Sequence, residues 1–119
     1  MYERERGCYE RDGIARSPHI RALLDLIGHD ESEPHTSDAS RPQCMVFEWM
    51  DTDLWQLPSG GLRPGSQVPR IVAKSVLEAL AVVDDLKGVH TDVNPNNVFV
   101  SGANGSQPIV KLGDLGCCK

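Results

Sequence analysis

The chain has 119 residues, of which 39% are hydrophobic and only 5% aromatic, and its formal net charge is −5. This length suits one small domain with a thin supply of core-forming side chains, because aromatic rings bury the largest area per residue. The acidic balance without a long basic run argues against nucleic-acid binding. No apolar stretch approaches the roughly 18 residues of a membrane-spanning helix, and the charged N-terminus does not resemble a signal peptide. A cytoplasmic or nuclear protein without membrane association is expected.

The four cysteines favour reduced, unpaired thiols. Cys8 and Cys44 are isolated, whereas Cys117 and Cys118 are adjacent and lack the two-residue spacing of metal and redox motifs. Unpaired thiols are typical of a reducing compartment. No role follows from the sequence for the adjacent pair.

The first half of the chain predicts a helix, a strand, a loop and a second strand. Residues 1–16 are mostly charged and are interpreted as a helix, although two glycines weaken it. Residues 19–28 are predicted to form a strand, and 44–50 a buried strand interrupted by one glutamate. The polar, proline-containing segment 29–42 reads as an exposed loop. Residues 51–53 can cap a short turn.

The second half begins with another loop and the longest predicted helix. Residues 58–69 carry three prolines and three glycines, which indicate a loop. Residues 68–86 are predicted to form a helix that Gly88 closes. Its apolar face has side chains at three- and four-residue steps: Ile71, Val72, Val76, Leu77, Leu80, Val83 and Leu86.

Two short strands joined by a turn complete the pattern. They are predicted at 98–100 and 109–112, and Asn104-Gly105 between them is a hairpin signal because both residues tolerate positive φ.

Three short motifs carry the functional signal: Glu48-Trp49-Met50 before the long helix, Asn94-Pro95-Asn96-Asn97 after it, and an Asp-Leu-Gly sequence beginning at Asp114. The second motif also places Asp92 five residues before Asn97. Alone, the first is a strand end, the second a turn in which Asx side chains bond their own backbone, and the third a common turn. Their occurrence in order around a long helix is what makes the combination informative. Three aromatic residues are read simply as packing residues: Tyr2, Tyr9 and Trp55.

In these motifs the sequence resembles the middle of a eukaryotic protein kinase domain, from the helix called αC in that family to its metal-binding D-F-G element. The local sequence, especially His90-Thr91-Asp92 and the stretch at 46–51, is similar to that of fungal serine/threonine kinase-like proteins. The resemblance implies an α+β, partial protein kinase-like fold. Residues 1–57 would be the remainder of the N-lobe and the hinge. Residues 58–119 would be the start of the C-lobe, through the catalytic loop and hairpin to the D-L-G sequence.

The resemblance also implies residue roles and cofactors. Asp92 stands where the family's catalytic base accepts the substrate hydroxyl proton, and His90 where a structural histidine supports that loop. Asn97 and Asp114 stand where the family ligates metal, and their hard oxygens suit Mg²⁺. Asn94 occupies the position of a catalytic lysine, where an amide brings no charge to neutralise the γ-phosphate.

Further residues resemble the ATP-binding part of that family. Phe47 sits at the gatekeeper position behind the adenine, and the backbone C=O of Glu48 and N–H of Met50 would bind the adenine edge. ATP and Mg²⁺ are therefore the implied cofactors. The helix glutamate of the family is matched either by Glu5 or by Glu10.

Several departures bear on activity. The sequence contains no lysine before Lys74 and no G-x-G-x-x-G, so the strand lysine and phosphate-covering loop are expected to be missing. Thr91 replaces the arginine of H-R-D, and Leu115 the phenylalanine of D-F-G. The activation segment and most of the C-lobe are also expected to be absent. We therefore expect a marginally stable polypeptide with an open helix face and no phosphotransfer on its own.

Two alternatives stay open. The chain can be part of a complete, active serine/threonine kinase, in which case the same residues are functional in the larger protein. It can instead be a non-catalytic, pseudokinase-like interaction module that docks a partner, for example a full kinase, through the apolar face of the helix at 68–86. The sequence names no protein substrate and no partner.

Overall fold

The computed structural model describes residues 2–28, 44–57 and 65–115, with side chains from residue 5 onward in the first helix. The described helices are α1 (Tyr2–Tyr9), α2 (Asp12–Arg16) and α3 (Val68–Asp85). The strands are β1 (Leu23–Ile27), β2 (Cys44–Phe47), β3 (Thr52–Asp53), β4 (Val98–Ser101) and β5 (Ile109–Leu112), and a 3-10 turn covers Pro95–Asn97. This arrangement confirms a small mixed α+β domain.

The N-terminal region forms two short helices rather than the predicted single one. The break falls at Arg11, whose backbone is extended and whose Nη1 donates a hydrogen bond to the carbonyl of Leu86 at 3.2 Å. This break lets Tyr9 before it and Ile14 after it both reach the core, where each is 4% exposed. Long-range packing therefore decides a boundary that local helix propensity does not reveal.

Two small sheets meet at a backbone bridge. Strands β1 and β2 pair antiparallel, and the second sheet has the order β3-β4-β5. Ile20 forms a parallel bridge with Leu112, supported by bonds from the Arg21 N–H to the Leu112 carbonyl (2.9 Å) and from the Leu112 N–H to the His19 carbonyl (2.8 Å). The predicted strand at 19–28 is therefore shortened, because its first residues pair with β5 instead of β2.

Helix α3 packs on the second sheet. The central core cluster joins it to both strands of the C-terminal hairpin and to the N-terminal helices through Tyr9, Ile14, Ile20, Ala79, Val83, Val98, Val100, Val110, Leu112 and Leu115. Five predicted face residues pack partly buried against this cluster: Ile71, Val72, Val76, Leu80 and Leu86. Leu77 is 67% exposed. The expectation of an open apolar face is therefore wrong for most of the helix, because the chain covers that face itself.

The end of α3 follows the Schellman pattern with an unexpected residue in the left-handed position. Lys87 has φ 61°, and its N–H donates to the Asp84 carbonyl. The N–H of Gly88 donates to the Val83 carbonyl at 2.9 Å. These two bonds satisfy carbonyls that the helix leaves unpaired. Gly88 thus helps to close the helix, but Lys87 adopts the conformation that glycine usually supplies.

The predicted hairpin is present, with a different turn. Strands β4 and β5 pair from Val98↔Leu112 to Ser101↔Ile109. Positive φ occurs at Gly102 (66°) and not at Asn104 or Gly105, while the Gly105 N–H donates to the Gly102 carbonyl. The two-residue Asn-Gly turn therefore does not form: residues 102–108 make a longer loop, and its left-handed residue is Gly102, directly after β4.

The segment from β2 to β3 differs from the prediction in the length of its first strand and agrees with it in its turn. Strand β2 ends at Phe47, three residues earlier than predicted. The turn after β3 is capped as predicted, since Asp53 Oδ1 accepts a bond from the Gln56 N–H at 2.8 Å.

Trp55 is 71% exposed and is not a packing residue. Cys8 and Cys44 are free thiols, whereas residues 116–119, including the adjacent cysteines, lie outside the described residues. None of the helices described is long and apolar enough to cross a bilayer.

Candidate functional site

The loop before β4 holds the carboxylate of Asp92 between two amide side chains. Asn94 Nδ2 donates to Asp92 Oδ1 at 2.9 Å, and Asn97 Nδ2 donates to Asp92 Oδ2 at 3.2 Å. Asn97 Nδ2 also donates to the Asp92 carbonyl at 2.9 Å. Both carboxylate oxygens are thus fixed by neutral donors, while the Asp92 side chain stays exposed to solvent. A carboxylate positioned in this way can accept a hydrogen bond from an incoming hydroxyl group.

The local sequence explains why this loop takes its shape. Asn94 is the N-cap of the 3-10 turn and its Oδ1 accepts a bond from the Asn96 N–H at 2.9 Å. Pro95 occupies the first turn, where its missing N–H costs nothing and its fixed φ favours the turn. The turn delivers Asn97 to a buried position, 7% exposed, directly before β4. The Asn-Pro-Asn-Asn sequence is therefore both a capped turn and the device that places Asn97.

His90 connects this loop to the end of β5. Its Nδ1 accepts a bond from the Asp92 N–H at 3.2 Å, so the proton of the neutral ring must lie on Nε2. Nε2 therefore donates to the Gly113 carbonyl at 2.9 Å. His90 is 2% exposed. The ring occupies the supporting position that the family resemblance implies for it, although its role there stays a prediction.

Two non-glycine residues beside these loops have left-handed backbone conformations. Thr91 has φ 69° and Asp114 has φ 55°. A β-branched residue such as threonine rarely adopts this region, whereas aspartate does so more readily. Positive φ in two residues that flank one small site is typical of backbone held in place by surrounding contacts. Here those contacts include the bond from the Gly113 N–H to the Asn97 carbonyl at 2.8 Å.

A cavity of about 300 Å³ lies next to the loop. Its lining residues come from α1, the segment before β1, β2, the 3-10 turn, β4 and the D-L-G sequence: Glu5, Tyr9, Arg21, Phe47, Asn97, Phe99 and Asp114. The volume is at the lower end of the range for small-molecule sites. The structure thus brings three of the predicted site residues, Phe47, Asn97 and Asp114, to one concave surface. Asp92 and Asn94 are attached to it through their hydrogen bonds to Asn97 and to each other.

The position of the cavity distinguishes between Glu5 and Glu10, the two candidates for the helix glutamate of the kinase family. Glu5 lines it, while Glu10 forms a surface ion pair with Arg6 at 2.9 Å. Burial, and then the negative charge of Asp114, raises the pKa of Glu5 above its ordinary value of 4.5. The negative charge of Asp114 therefore acts on the carboxyl group of Glu5 at this cavity. Of the two, Glu5 has the position to act with the predicted metal ligand.

The donor set at the cavity suits a hard divalent cation. The Nδ2 group of Asn97 faces two acceptors of Asp92, so its Oδ1 must point away from them. No donor to this Oδ1 is found among residues 2–28, 44–57 and 65–115. The described residues also contain no group of three or more His, Cys, Asp or Glu side chains that could hold a metal by themselves. Mg²⁺ is commonly bound by one or two carboxylates together with substrate phosphates, and Asn97 with Asp114 fits that pattern.

The three residues predicted for adenine binding lie in different surroundings. Phe47 lines the cavity and packs edge-on against Tyr9, with ring centroids 4.9 Å apart. The Glu48 carbonyl accepts a bond from Arg21 Nε at 3.0 Å. Met50 is 8% exposed and does not line the cavity; its sulfur accepts a bond from Ser101 Oγ at 3.9 Å.

The side chain of Glu48 ties the segment after β2 to both sheets. Its Oε1 accepts bonds from Lys111 Nζ at 2.6 Å and from the Ala22 N–H at 2.9 Å. Burial raises the pKa of Glu48, but the hydrogen bonds from Lys111 and Ala22 and the positive charges of Lys111 and Arg21 outweigh it. The pKa therefore lies below its ordinary value of 4.5. The Glu48 carboxylate is a structural anion that fixes the backbone behind its own carbonyl.

Sequence reasoning did not place three residues at the cavity: Tyr9, which was expected only to pack, Arg21 and Phe99. The guanidinium carbon of Arg21 lies 4.4 Å from the centroid of the Phe99 ring and 5.4 Å from that of Phe47. A charge inside the apolar run at 20–27 was the available signal for Arg21. The signal for Phe99 was its position in the predicted strand directly after the motif that ends at Asn97.

Comparison with known proteins gives a limited link to kinases. The chain is 33% identical over 78 residues to a probable myosin light chain kinase from Dictyostelium discoideum. The match covers 64% of this chain and 15% of that protein, so the chain spans only a small part of its relative. No family model matches the chain. The similarity points to a kinase relationship and establishes no specific activity.

Proposed function

We propose that this chain is a segment of a serine/threonine protein kinase-like domain, and that its cavity is the metal and nucleotide half of a phosphotransfer site. The observation that carries the proposal is the joint placement of Asp92, Asn97 and Asp114. One loop fixes Asp92 through Asn97, and Asn97 and Asp114 share the cavity wall. The similarity to a probable kinase supports the same assignment.

The proposed roles follow from the positions of the side chains. Asn97 Oδ1 and the Asp114 carboxylate would hold Mg²⁺ together with nucleotide phosphates, and the bound cation would supply charge neutralisation. Asp92, held by two amides, would orient a substrate hydroxyl and accept its proton. His90 keeps the Asp92 loop and the Gly113 backbone at a fixed separation through its two ring nitrogens. Glu5 adds a second carboxyl group to the lining of the cavity.

A polypeptide of these 119 residues is proposed to bind without transferring phosphate. It contains neither the strand lysine nor the glycine-rich loop of the family. Asn94, which replaces the catalytic-loop lysine, is neutral and already donates to Asp92. Charge stabilisation is the principal contribution of a protein to phosphoryl transfer. Binding and turnover are therefore separate questions for this chain.

The test measures ATP binding by calorimetry with and without Mg²⁺. Asp114→Asn and Asn97→Ala are expected to weaken Mg²⁺-dependent binding by about tenfold or more, a difference of roughly 1.4 kcal/mol. Asp85→Asn is the matched control, because Asp85 is an exposed acid at the end of α3. Binding that is independent of Mg²⁺, or equal in all three variants, would contradict the proposal. Circular dichroism of each variant verifies that the fold is retained.

A further inference from the structure

Arg21 lines the cavity beside Phe47 and contacts the Glu48 carbonyl, the place where the kinase resemblance puts the adenine of a bound nucleotide. Its guanidinium lies over the Phe99 ring at 4.4 Å and near the Phe47 ring at 5.4 Å. Its Nε donates to the Glu48 carbonyl at 3.0 Å. That carbonyl is the acceptor predicted for the adenine edge. One charged side chain therefore makes both contacts expected of a bound base: an aromatic contact and a hydrogen bond to the segment after β2.

A guanidinium group is similar enough to a purine base to take its place on an aromatic ring. A guanidinium is a planar, delocalised cation with N–H donors in its plane, and it stacks on aromatic faces. A purine is also planar and presents an amino donor at its edge. A carbonyl oxygen has a second lone pair and can accept another bond. The face of Phe99, however, cannot hold a guanidinium and a purine at the same time.

The residues around Arg21 hold it in this position. Its own N–H bonds to the Leu112 carbonyl at 2.9 Å, which anchors the backbone to β5. The Glu48 segment that accepts its side-chain bond is fixed by Lys111 and by the Ala22 N–H. On the other side, Phe47 is packed against Tyr9, which is buried. The acceptor and both aromatic rings are therefore in place independently of any ligand.

We propose that Arg21 is a built-in occupant of the nucleobase subsite, so that the chain binds magnesium-polyphosphate groups without reading a base. The inference rests on the proposed function for the assignment of the subsite, and it deepens that function by naming the ligand class. A nucleoside triphosphate and inorganic tripolyphosphate then bind alike, because only their phosphates contact the protein. Removing the Arg21 side chain exposes the Phe99 face and the Glu48 carbonyl to a base.

The experiment compares three probes by calorimetry: Mg²⁺-tripolyphosphate, Mg²⁺-ATP and adenosine. The unsubstituted chain is expected to bind the first two within about threefold and adenosine not measurably. Arg21→Ala is expected to gain adenosine binding and to favour Mg²⁺-ATP over tripolyphosphate by about tenfold. Arg70→Ala is the matched control, since Arg70 is exposed on α3 and is not among the residues that line the cavity. It should behave like the unsubstituted chain.

Two outcomes would overturn the proposal. One is adenosine binding by the unsubstituted chain as tight as by Arg21→Ala, and the other is a base preference that Arg21→Ala leaves unchanged. Adenosine has no phosphates, so its comparison does not depend on Asn97 or Asp114. Loss of all Mg²⁺-dependent binding would therefore contradict the proposed function while the adenosine comparison still decides the role of Arg21.

A measurement on the unsubstituted chain covers the case in which Arg21→Ala does not fold. The Nε–H resonance of Arg21, hydrogen-bonded to the Glu48 carbonyl, is followed by NMR during titration with adenosine. A resonance unchanged by adenosine at millimolar concentration supports the proposal. A saturable shift of that resonance, with accompanying shifts at Phe99, would show that a base displaces the guanidinium and would overturn it.

Discussion

Replacing Gly113 with alanine tests the packing between the D-L-G sequence and Phe99. A Cβ atom at Gly113 would lie 2.5 Å from Phe99 Cε2 and 3.1 Å from Cδ2. Carbon atoms in contact are normally about 3.5–4.0 Å apart, so the ring must move by roughly 1 Å. Gly113 does not have positive φ, so the conflict is steric and not conformational. Overpacking of this kind costs about 1–3 kcal/mol, and the guanidinium of Arg21 over the ring favours the upper part of that range.

The assay is urea unfolding followed by far-UV circular dichroism. With a slope of about 2 kcal/mol per molar urea, a loss of about 2–3 kcal/mol lowers the midpoint by roughly 1–1.5 M. Gly7→Ala is the control, because nothing lies within 4 Å of the added methyl group and a helical glycine-to-alanine change should stabilise by about 0.5–1 kcal/mol. Phe99→Leu should be less costly in the Gly113→Ala background than alone, because it relieves the overlap. Unchanged stability of Gly113→Ala, or full additivity of the pair, would refute the reasoning.

Three further predictions concern charges and backbone strain. Because burial and Asp114 raise the pKa of Glu5, its ionised form opposes folding, so Glu5→Gln should stabilise the fold near pH 7. That gain should shrink as the pH falls through the raised pKa, whereas the exposed Glu10→Gln should show no such gain; urea unfolding across pH measures both. For Glu48 the sign is opposite: its pKa is lowered, so Glu48→Gln should destabilise at neutral pH. The loss should begin to shrink as the pH falls below the ordinary value of 4.5 and should disappear only below the lowered pKa of the folded state. A loss that is independent of pH would contradict the ion pair with Lys111 as its cause. Lys87→Gly should stabilise by about 1 kcal/mol, since Lys87 has φ 61° and glycine adopts this region without a Cβ penalty; a thermal midpoint that does not rise would speak against strain at this position.

The features that the sequence predicted well are those set by neighbours along the chain. The helix at 68–86 is found as Val68–Asp85 because its three- and four-residue periodicity is long and continuous. The hairpin strands are also found within one residue of the prediction. The relation between Asp92 and Asn97 spans only five residues and one capped turn, so local chemistry is sufficient to fix it.

The features that the sequence missed depend on contacts between distant segments. The break at Arg11 reflects a bond to the end of α3, and the choice between Glu5 and Glu10 depends on which side of α1 faces the cavity. A charge in a predicted strand normally indicates a solvent-facing side chain. The charge of Arg21 within the apolar run therefore drew attention to it but did not show that it lies near two aromatic rings. Periodicity describes which residues share a face of one element, but not which other element that face will meet.

The bridge between Ile20 and Leu112 has a consequence for the order in which the chain can fold. Ile20 is 1% exposed and Leu112 0%, and their backbones are joined by the two bonds between residues 19–21 and β5. On the ribosome, α1 and α2 are made well before β5, the strand that completes their core. The early segments must therefore wait with their apolar side chains exposed, and such long-range closure slows folding. A nascent chain stalled before β5 should be protease-sensitive in α1 and α2, and release of β5 should protect these helices and the hairpin together.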